Sequence, residues 1–126
     1  MSIAGIGTDI VSKQRIAEVL EANQQRFMRR LLTKKELQLA PKEQQQLINF
    51  ISKRWAAKEA ISKSFGTGIG KQLSFQDIEI SHLESGAPIV VLSDSAQQLA
   101  SSKSFNSIML SLSDEDAYAV AFAIAV

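Results

Sequence analysis

Three ionisable side chains in the first half of the chain have types and spacing suited to phosphate chemistry. Glu59 and Lys63 are four residues apart in a segment with helical periodicity, so a carboxylate and an ammonium share one helix face. Gly66 and Gly68 follow directly and free backbone N–H groups at the helix end. A second carboxylate, Asp9, comes right after an apolar run. Two carboxylates and a lysine beside glycine-rich backbone suit a metal-bound phosphate ester.

Each of these residues also has a purely structural interpretation. An Asp after a strand, such as Asp9, is often a helix N-cap. Glu59 and Lys63 also form a common i,i+4 ion pair on a solvated face. The glycines are typical of a plain helix stop, although one glycine would suffice for that purpose. Taken from the residues alone, the structural interpretations are the more common ones.

A strand and several helices in the first half have to position these groups. Residues 2–7 are typical of a short buried strand, with glycine where another backbone comes close. Apolar residues recur at helical spacing from about Ser12, and a break near Asn23 leads to a second, basic helix over about residues 25–32. A capping box at Thr33 opens a third short helix. The long helix spans about residues 42–65, with Gly66 as its stop.

The second half changes to strand patterns after Leu73. Alternation around residues 78–84, a Ser-Gly-Ala-Pro turn and residues 89–92 predict a hairpin. Ser93 or Asp94 caps a helix through about Ser102, and residues 107–113 and 117–126 predict two more strands. The fold class is therefore α+β. The last strand is apolar nearly throughout, so we expect both of its faces to be buried, and an oligomer interface would account for that.

Composition limits the class of protein. A length of 126 residues and 45% hydrophobic content suit one domain, spanning residues 1–126. No apolar run approaches a membrane span and no basic leader precedes one, so we expect a cytoplasmic protein without a membrane partner. The absence of cysteine excludes disulfides, thiolate metal sites and a cysteine nucleophile.

The net charge of +1 hides a strong asymmetry. Residues 1–71 hold 13 of the 14 Lys and Arg against six acids, whereas residues 72–126 hold only Lys103 against seven acids. Either the basic half offers a face to a phosphate-rich ligand or acidic partner, or the two halves attract each other within the fold. Aromatic residues make up only 6% and no stacking motif is visible, which disfavours a nucleic-acid binder.

Three blocks of sequence together resemble the holo-[acyl-carrier-protein] synthases, the short class of 4′-phosphopantetheinyl transferases. The blocks occur in family order over the whole chain, and only their combination is specific. They are Gly5–Val11 with Arg15 and Ile16; Phe50–Ala60 with Lys63 and Phe65–Gly68; and Gly86–Pro88 with Leu110–Ser113, Tyr118 and Ala119.

The resemblance implies a fold and an activity. Helices of the N-terminal half would pack on a small, mainly antiparallel sheet. The enzyme would transfer the 4′-phosphopantetheine arm of coenzyme A to a serine of apo acyl carrier protein, with Mg²⁺, and release adenosine 3′,5′-bisphosphate. Members of this class form homotrimers with active sites between subunits, which would also bury the last strand.

The resemblance also assigns roles to residues. Asp9 and Glu59 would be catalytic magnesium ligands, and Lys63 would be a catalytic residue that contacts the phosphates. Either Glu59 or a metal-bound water would accept the proton of the attacking serine, and the sequence leaves that choice open. Two further groups are assigned by motif position. Coenzyme A would be contacted by Lys63, Arg54, Ser62, Gly66, Thr67, Gly68 and Pro88, and the carrier protein by Arg15, Arg26 and Phe27.

The chain departs from the family pattern at two places, and an alternative function stays open. Many relatives carry a histidine where this chain has Asp114, and Ala22–Gln25 is less basic than in some relatives. Trp55, where the family usually has phenylalanine, is expected to pack in the core, and the lone His82 receives no role. The alternative is a non-catalytic module that binds an acidic protein or a nucleotide through the basic half.

Overall fold

The computed structural model describes residues 2–126 and contains four α-helices, one 3₁₀ turn and five strands in that range. In chain order the elements are β1 (Gly5–Ser12), α1 (Lys13–Leu31), α2 (Lys34–Leu39), α3 (Gln44–Ser64), the 3₁₀ turn (Phe75–Asp77), β2 (Ile78–His82), β3 (Pro88–Leu92), α4 (Asp94–Ser102), β4 (Ile108–Asp114) and β5 (Tyr118–Ala125). The predicted α+β class is confirmed.

Two small sheets carry the strands, and every pairing in them is antiparallel. The first has the order β1-β5-β4, and the second is the β2-β3 hairpin. The helix α3 packs across β1 and β5, and α1 packs on α3. This arrangement makes α3 the central element of the core, with Ile51, Ala56 and Ile61 fully buried.

The helix boundaries follow local signals in the sequence. Ser12 caps α1 by accepting a hydrogen bond from the backbone of Arg15, and the expected break falls at Asn23, whose φ of −164° and ψ of 83° are not helical. The capping box at α2 is present, since Thr33 and Glu36 each accept a hydrogen bond from the other's backbone. These short-range predictions are confirmed because they depend on residues within one turn.

The first strand differs from its prediction. It runs from Gly5 to Ser12 and pairs with β5 over that whole length, from Gly5 opposite Ala125 to Ser12 opposite Tyr118. The strand therefore includes Asp9, and the N-cap that follows is Ser12. The N-cap interpretation of Asp9 is wrong, because pairing with a strand more than a hundred residues away extends β1 beyond its apolar start.

The last strand buries one face rather than two in the single chain. Its inner face consists of Ala119, Ala121, Ala123 and Ala125, each fully buried. Its outer face is exposed, with Val120 at 37% and Phe122 at 44% of their full accessibility. The expectation that both faces are buried does not hold within one chain, because none of the elements in residues 2–126 covers the outer side of the sheet.

Candidate active site

The inner face of β1 lies against the backbone of α3 because two of its residues are glycines. A methyl group on Gly5 would lie 2.1 Å from the carbonyl oxygen of Ser64, and one on Gly7 would lie 1.9 Å from that of Ala60. Both glycines are therefore required by close approach, as the sequence predicts. Asp9 follows on the same inward-facing side of the strand, which directs its carboxylate toward α3.

Asp9 and Lys63 are brought together by this packing. The Nζ of Lys63 donates to Oδ1 of Asp9 at 3.2 Å and to the carbonyl oxygen of Thr8 at 2.9 Å. The second carboxylate oxygen of Asp9, Oδ2, is buried and accepts no hydrogen bond from the described residues. A buried carboxylate oxygen without a partner is costly, so this atom requires a cation or a donor from outside the chain.

Glu59 lies one helical turn before Lys63 and is partly buried. Its pKa is raised above the usual value, first by burial and then by the negative charge of Asp9, while Lys63 opposes the shift. Within residues 2–126 Glu59 forms no ion pair, because Lys63 bonds to Asp9 instead. The surface ion-pair interpretation of Glu59 and Lys63 is therefore wrong.

Two carboxylates near each other with an orphaned oxygen fit a hard divalent cation. Mg²⁺ is usually held in proteins by one or two carboxylates, with water and substrate phosphate oxygens completing its shell. The described residues contain no group of three or more His, Cys, Asp or Glu that could enclose a metal. The donor set therefore fits a metal that keeps most of its ligands from water and substrate, and does not fit an all-protein cage.

The end of α3 is closed by glycines in the left-handed region. Gly66 has φ of 77° and Gly68 has φ of 67°, a conformation that other residues rarely adopt. Their N–H groups donate to the carbonyl oxygens of Lys63 and Ser62. The expectation of free N–H groups at these glycines is wrong, because both groups cap the helix. Thr67, between them, donates its hydroxyl to the carbonyl of Gly68.

Ser62 is turned away from this end. Its side chain is fully buried, and its hydroxyl donates to the carbonyl oxygen of Glu59 at 2.7 Å. In the single chain the Ser62 hydroxyl is thus buried and bonded within α3, and its phosphate contact stays a prediction.

The guanidinium of Arg54 makes most of its contacts inside the protein. Its Nε donates to Glu36 at 3.1 Å, its Nη2 donates to the carbonyl oxygen of Ile80, and its guanidinium lies 3.8 Å from the ring centre of Phe50. It nevertheless lines a surface groove of about 500 Å³ together with Lys53 and His82. The pKa of His82 is lowered by burial and by the charges of Arg54 and Lys53. The groove therefore carries two cations, Lys53 and Arg54, beside a histidine whose protonated form is disfavoured, and the sequence did not reveal that these three residues meet.

Comparisons with known proteins agree on one family. Residues 5–123 match the family model of the 4′-phosphopantetheinyl transferase superfamily. The chain belongs to the 4′-phosphopantetheinyl transferase superfamily. The chain is 46% identical over 124 residues to the holo-[acyl-carrier-protein] synthase of Shewanella amazonensis, with 98% of each chain covered. It is 44% identical over 119 residues to that of Vibrio cholerae, with 94% of each covered.

Solved structures of the same family share the fold. The holo-[acyl-carrier-protein] synthase of Neisseria meningitidis matches with a TM-score of 0.91 and 38% identity over 99% of each chain. The Helicobacter pylori enzyme in complex with coenzyme A matches with a TM-score of 0.84 and 33% identity, over 96% of this chain and 99% of that one. The resemblance inferred from the three sequence blocks is confirmed. The chain is a phosphopantetheinyl transferase, which decides against the non-catalytic binding module.

The remaining site residues of this phosphopantetheinyl transferase lie on two other surfaces. Pro88 opens β3, pairs with His82 and lines a groove of about 780 Å³ between β3 and β4. Arg15 and Arg26 are exposed on α1. Phe27 is half-buried, with its ring 5.8 Å from that of Trp55. Trp55 also packs on Phe75 at 5.1 Å, so its predicted core role is confirmed.

His82 of this phosphopantetheinyl transferase could not be identified as a groove residue from the sequence, because it is a lone histidine without a partner at a regular spacing. Its neighbours Lys53 and Arg54 reach it only when β2 packs beside α3, so the cationic groove depends on tertiary structure. No helix among the described residues is long and apolar enough to cross a membrane.

Proposed function

We propose that this phosphopantetheinyl transferase moves the 4′-phosphopantetheine arm of coenzyme A to a serine of apo acyl carrier protein in an Mg²⁺-dependent reaction. The products are holo acyl carrier protein and adenosine 3′,5′-bisphosphate. Curated relatives named holo-[acyl-carrier-protein] synthase and a relative solved with coenzyme A support this choice of substrates. We also propose that residues 1–126 act as one domain, and that the enzyme works in the cytoplasm.

The orphaned Oδ2 of Asp9 is the observation that carries the proposal. Asp9 and Glu59 are the two carboxylates that would hold Mg²⁺, and their charges already act on each other in the structure. When bound, the metal supplies charge neutralisation for the pyrophosphate of coenzyme A as the P–O bond breaks. Lys63 forms an ion pair with Asp9, and its side chain is about half exposed. Its ammonium would therefore also contact the same phosphates.

The chemistry required of the protein is positioning and proton removal. The serine oxygen of the carrier protein forms a bond to the β-phosphorus of coenzyme A, and the bond from that phosphorus to the bridging oxygen breaks. The bisphosphate leaves with the bond's electron pair. We assign the hydroxyl proton to Glu59, directly or through a water molecule, because Glu59 is the site carboxylate that no lysine neutralises by an ion pair within residues 2–126.

Other residues would bind the ends of the two substrates. The groove lined by Lys53, Arg54 and His82 would bind a terminal phosphate, since Lys53 and Arg54 are cationic, His82 offers a ring N–H, and no Asp or Glu of residues 2–126 lines it. The turn of Gly66, Thr67 and Gly68 would lie beside the ligand as backbone, and Pro88 would border the nucleotide.

The N-terminal helix would dock the carrier protein. Arg15 and Arg26 are exposed and cationic, and the half-buried Phe27 offers an apolar surface beside them. Acyl carrier proteins are small and acidic, so this surface would steer and orient them.

We propose that the enzyme is a homotrimer whose subunits meet on the outer face of the β1-β5-β4 sheet. That face presents an apolar patch of Ile6, Ile10, Met109, Val120 and Phe122, which are between 37% and 63% exposed in the single chain. A contiguous apolar patch of this kind is unusual on a monomer and marks an interaction surface. Because β1 also carries Asp9, subunits that meet here would border the active site.

The proposed activity is tested by transfer of labelled pantetheine from coenzyme A to apo acyl carrier protein. We expect Asp9→Asn and Glu59→Gln each to lower kcat by about 100-fold or more, because each change would remove a group that helps to stabilise the charge developing in the transition state. Both should also weaken Mg²⁺ or Mn²⁺ binding measured by calorimetry. Glu84→Gln, the same change at an exposed turn, is the matched control. A wild-type protein that fails to transfer with Mg²⁺ present would contradict the function, whereas fully active variants would contradict only the site.

The trimer is tested by sedimentation velocity. We expect wild type to sediment as a trimer and Phe122→Lys to dissociate it, because a charge would be buried at the apolar centre of the interface. Leu83→Lys, at an exposed residue of the β2-β3 turn, should leave the trimer intact. A wild-type monomer at assay concentration would refute the interface.

A further inference from the structure

Three charged side chains meet inside the protein, and two of them, Glu36 and Lys58, have no part in the reaction described above. Glu36 of α2 and Lys58 of α3 are fully buried, and Arg54 of α3 is only 5% exposed. Oε1 of Glu36 accepts from Lys58 at 2.7 Å, and Oε2 accepts from Arg54 at 3.1 Å. We call these three residues the ionic cluster.

The ionic cluster joins α3 to four other segments. Lys58 donates to Glu36, to the carbonyl oxygen of Leu31 at 2.6 Å and to that of Phe75 at 3.1 Å, which uses all three of its protons. Glu36 also accepts from the backbone N–H groups of Thr33 and Ile80. Lys58 is therefore fixed to the end of α1, the start of α2 and the 3₁₀ turn, while Glu36 adds β2.

Glu59 stands between this cluster and the first strand. At about 100° per residue, Lys58 and Ala60 are about 200° apart around the helix, so they face nearly opposite sides of α3. Ala60 meets β1 at the close approach of Gly7, and Lys58 is bonded into the cluster. Glu59 lies about 100° from each of them. The rotation of α3, and hence the direction of Glu59 toward Asp9, is held from both sides.

Stability alone is a poor explanation for such a cluster. Lys58 and Glu36 are fully buried and Arg54 is 5% exposed, so all three charges lose most of their hydration when the protein folds. Apolar side chains of similar size often replace buried ion pairs without loss of stability. Hydrogen bonds from one ammonium to three separate segments, in contrast, define a position that an apolar side chain cannot define.

We propose that Lys58 and Glu36 are positioning residues, which fix the rotation of α3 and thereby direct Glu59 toward the metal and the substrate. The inference rests on the proposed role of Glu59. Loss of either residue should let α3 shift by a fraction of a turn while the fold persists. Metal affinity and kcat should then both fall, because the Asp9–Glu59 pair no longer has its required spacing.

The experiment compares Lys58→Met and Glu36→Gln with Lys42→Met, an exposed lysine given the same change. We expect the first two variants to weaken Mn²⁺ binding by calorimetry about 10- to 100-fold. The kcat should fall by about the same factor, and the KM for coenzyme A should change little. Lys42→Met should match wild type. A double variant should lose no more than the worse single variant, since the two residues act as a unit.

Several results would overturn the proposal. A merely structural role would lower the unfolding midpoint and the fraction of active protein, while the metal Kd and kcat per folded molecule stayed at wild-type values. If Lys58→Met does not fold, the same measurements on Glu36→Gln alone decide whether the proposal holds, because glutamine keeps the side-chain shape of glutamate. Wild type without metal binding or transfer would refute the proposed function itself, whereas wild-type values in both variants would refute only the positioning role.

Discussion

Replacing Gly7 by alanine tests the contact on which the whole site depends. Gly7 lies in β1, two residues before Asp9, and its inner face touches the backbone of α3. An added methyl would lie 1.9 Å from the carbonyl oxygen of Ala60, 2.7 Å from the backbone nitrogen of Ser64 and 2.9 Å from Cβ of Lys63. Two of these three atoms are backbone atoms of a buried helix, so no side-chain rotation relieves the overlap.

The expected loss of stability follows from the lack of room for a methyl group between β1 and α3. Ordinary contact begins at 3.4 Å, so β1 and α3 would have to separate by up to 1.5 Å at this point. Overpacking of a core by a methyl group typically costs about 1–3 kcal/mol, and a contact with rigid backbone belongs at the upper end. A loss of about 3 kcal/mol lowers the unfolding midpoint by roughly 10 °C in a domain of this size.

The transfer activity of Gly7→Ala should fall by more than its loss of stability alone would cause. The same separation moves Asp9 away from Glu59 and Lys63, and a misplacement of about 1 Å at a reacting centre can cost about 100-fold in rate. We therefore expect Gly7→Ala to remain folded at 15 °C but to lose most transfer activity and metal affinity.

The assay is thermal unfolding by circular dichroism, together with the transfer rate at a temperature where the variant is folded. Gly70→Ala is the matched control, because nothing lies within 4 Å of its added methyl and its backbone is not in the left-handed region. It should be neutral or stabilise the protein by up to about 1 kcal/mol. An unfolding midpoint of Gly7→Ala within about 2 °C of wild type, with unchanged activity, would refute the close packing of β1 on α3.

Three further predictions concern the effect of single polar side chains on stability. Ser52→Ala should leave the free energy of unfolding unchanged or raise it by up to about 1 kcal/mol, because the Ser52 hydroxyl is buried and has no partner within residues 2–126. Asp77→Asn should destabilise the protein at pH 7, and this penalty should shrink only as the pH falls below about 4 and through the lowered pKa of Asp77. Burial would raise the pKa of Asp77, but hydrogen bonds from Ser74, Ser93 and Ser95 outweigh it and lower the pKa. His82→Gln should reduce the loss of stability between pH 7 and 5, since the lowered pKa of His82 means that the unfolded chain binds the proton more tightly.

Chemical denaturation at several pH values measures all three effects. A destabilised Ser52→Ala would mean that the hydroxyl has a partner. An Asp77→Asn penalty that has already disappeared at about pH 4 would contradict the lowered pKa. Parallel stability profiles for wild type and His82→Gln would contradict the effect assigned to His82.

Features set by nearby residues were predictable from the sequence. The cap at Thr33, the break at Asn23 and the stop at Gly66 each depend on contacts within a few residues, and each lies where expected. Glycines in β1 also predicted close backbone approach, although not which helix approaches. The family resemblance added the pairing of Asp9 with Glu59, which local patterns cannot supply for residues 50 apart.

Features set by tertiary packing were not predictable in this way. The strand containing Asp9 ends at Ser12 only because β5 pairs with it, and Ser62 faces the core only because of how α3 is rotated. The ionic cluster is the clearest case. Glu36 and Lys58 are 22 residues apart, and both have the type of side chain that is normally solvated. Their burial follows from the meeting of α2, α3 and the hairpin.

The charge asymmetry of the sequence can now be interpreted from the ion pairs. Four ion pairs occur among the described residues, and only that of Lys13 with Asp114 joins the basic half to the acidic half. The other three lie within the basic half. The remaining cations of α1 and α2 are exposed: Arg15, Arg26, Arg29, Arg30, Lys34 and Lys35. The two halves therefore do not neutralise each other at these helices, and the basic surface stays available to the acidic carrier protein that we propose as the substrate.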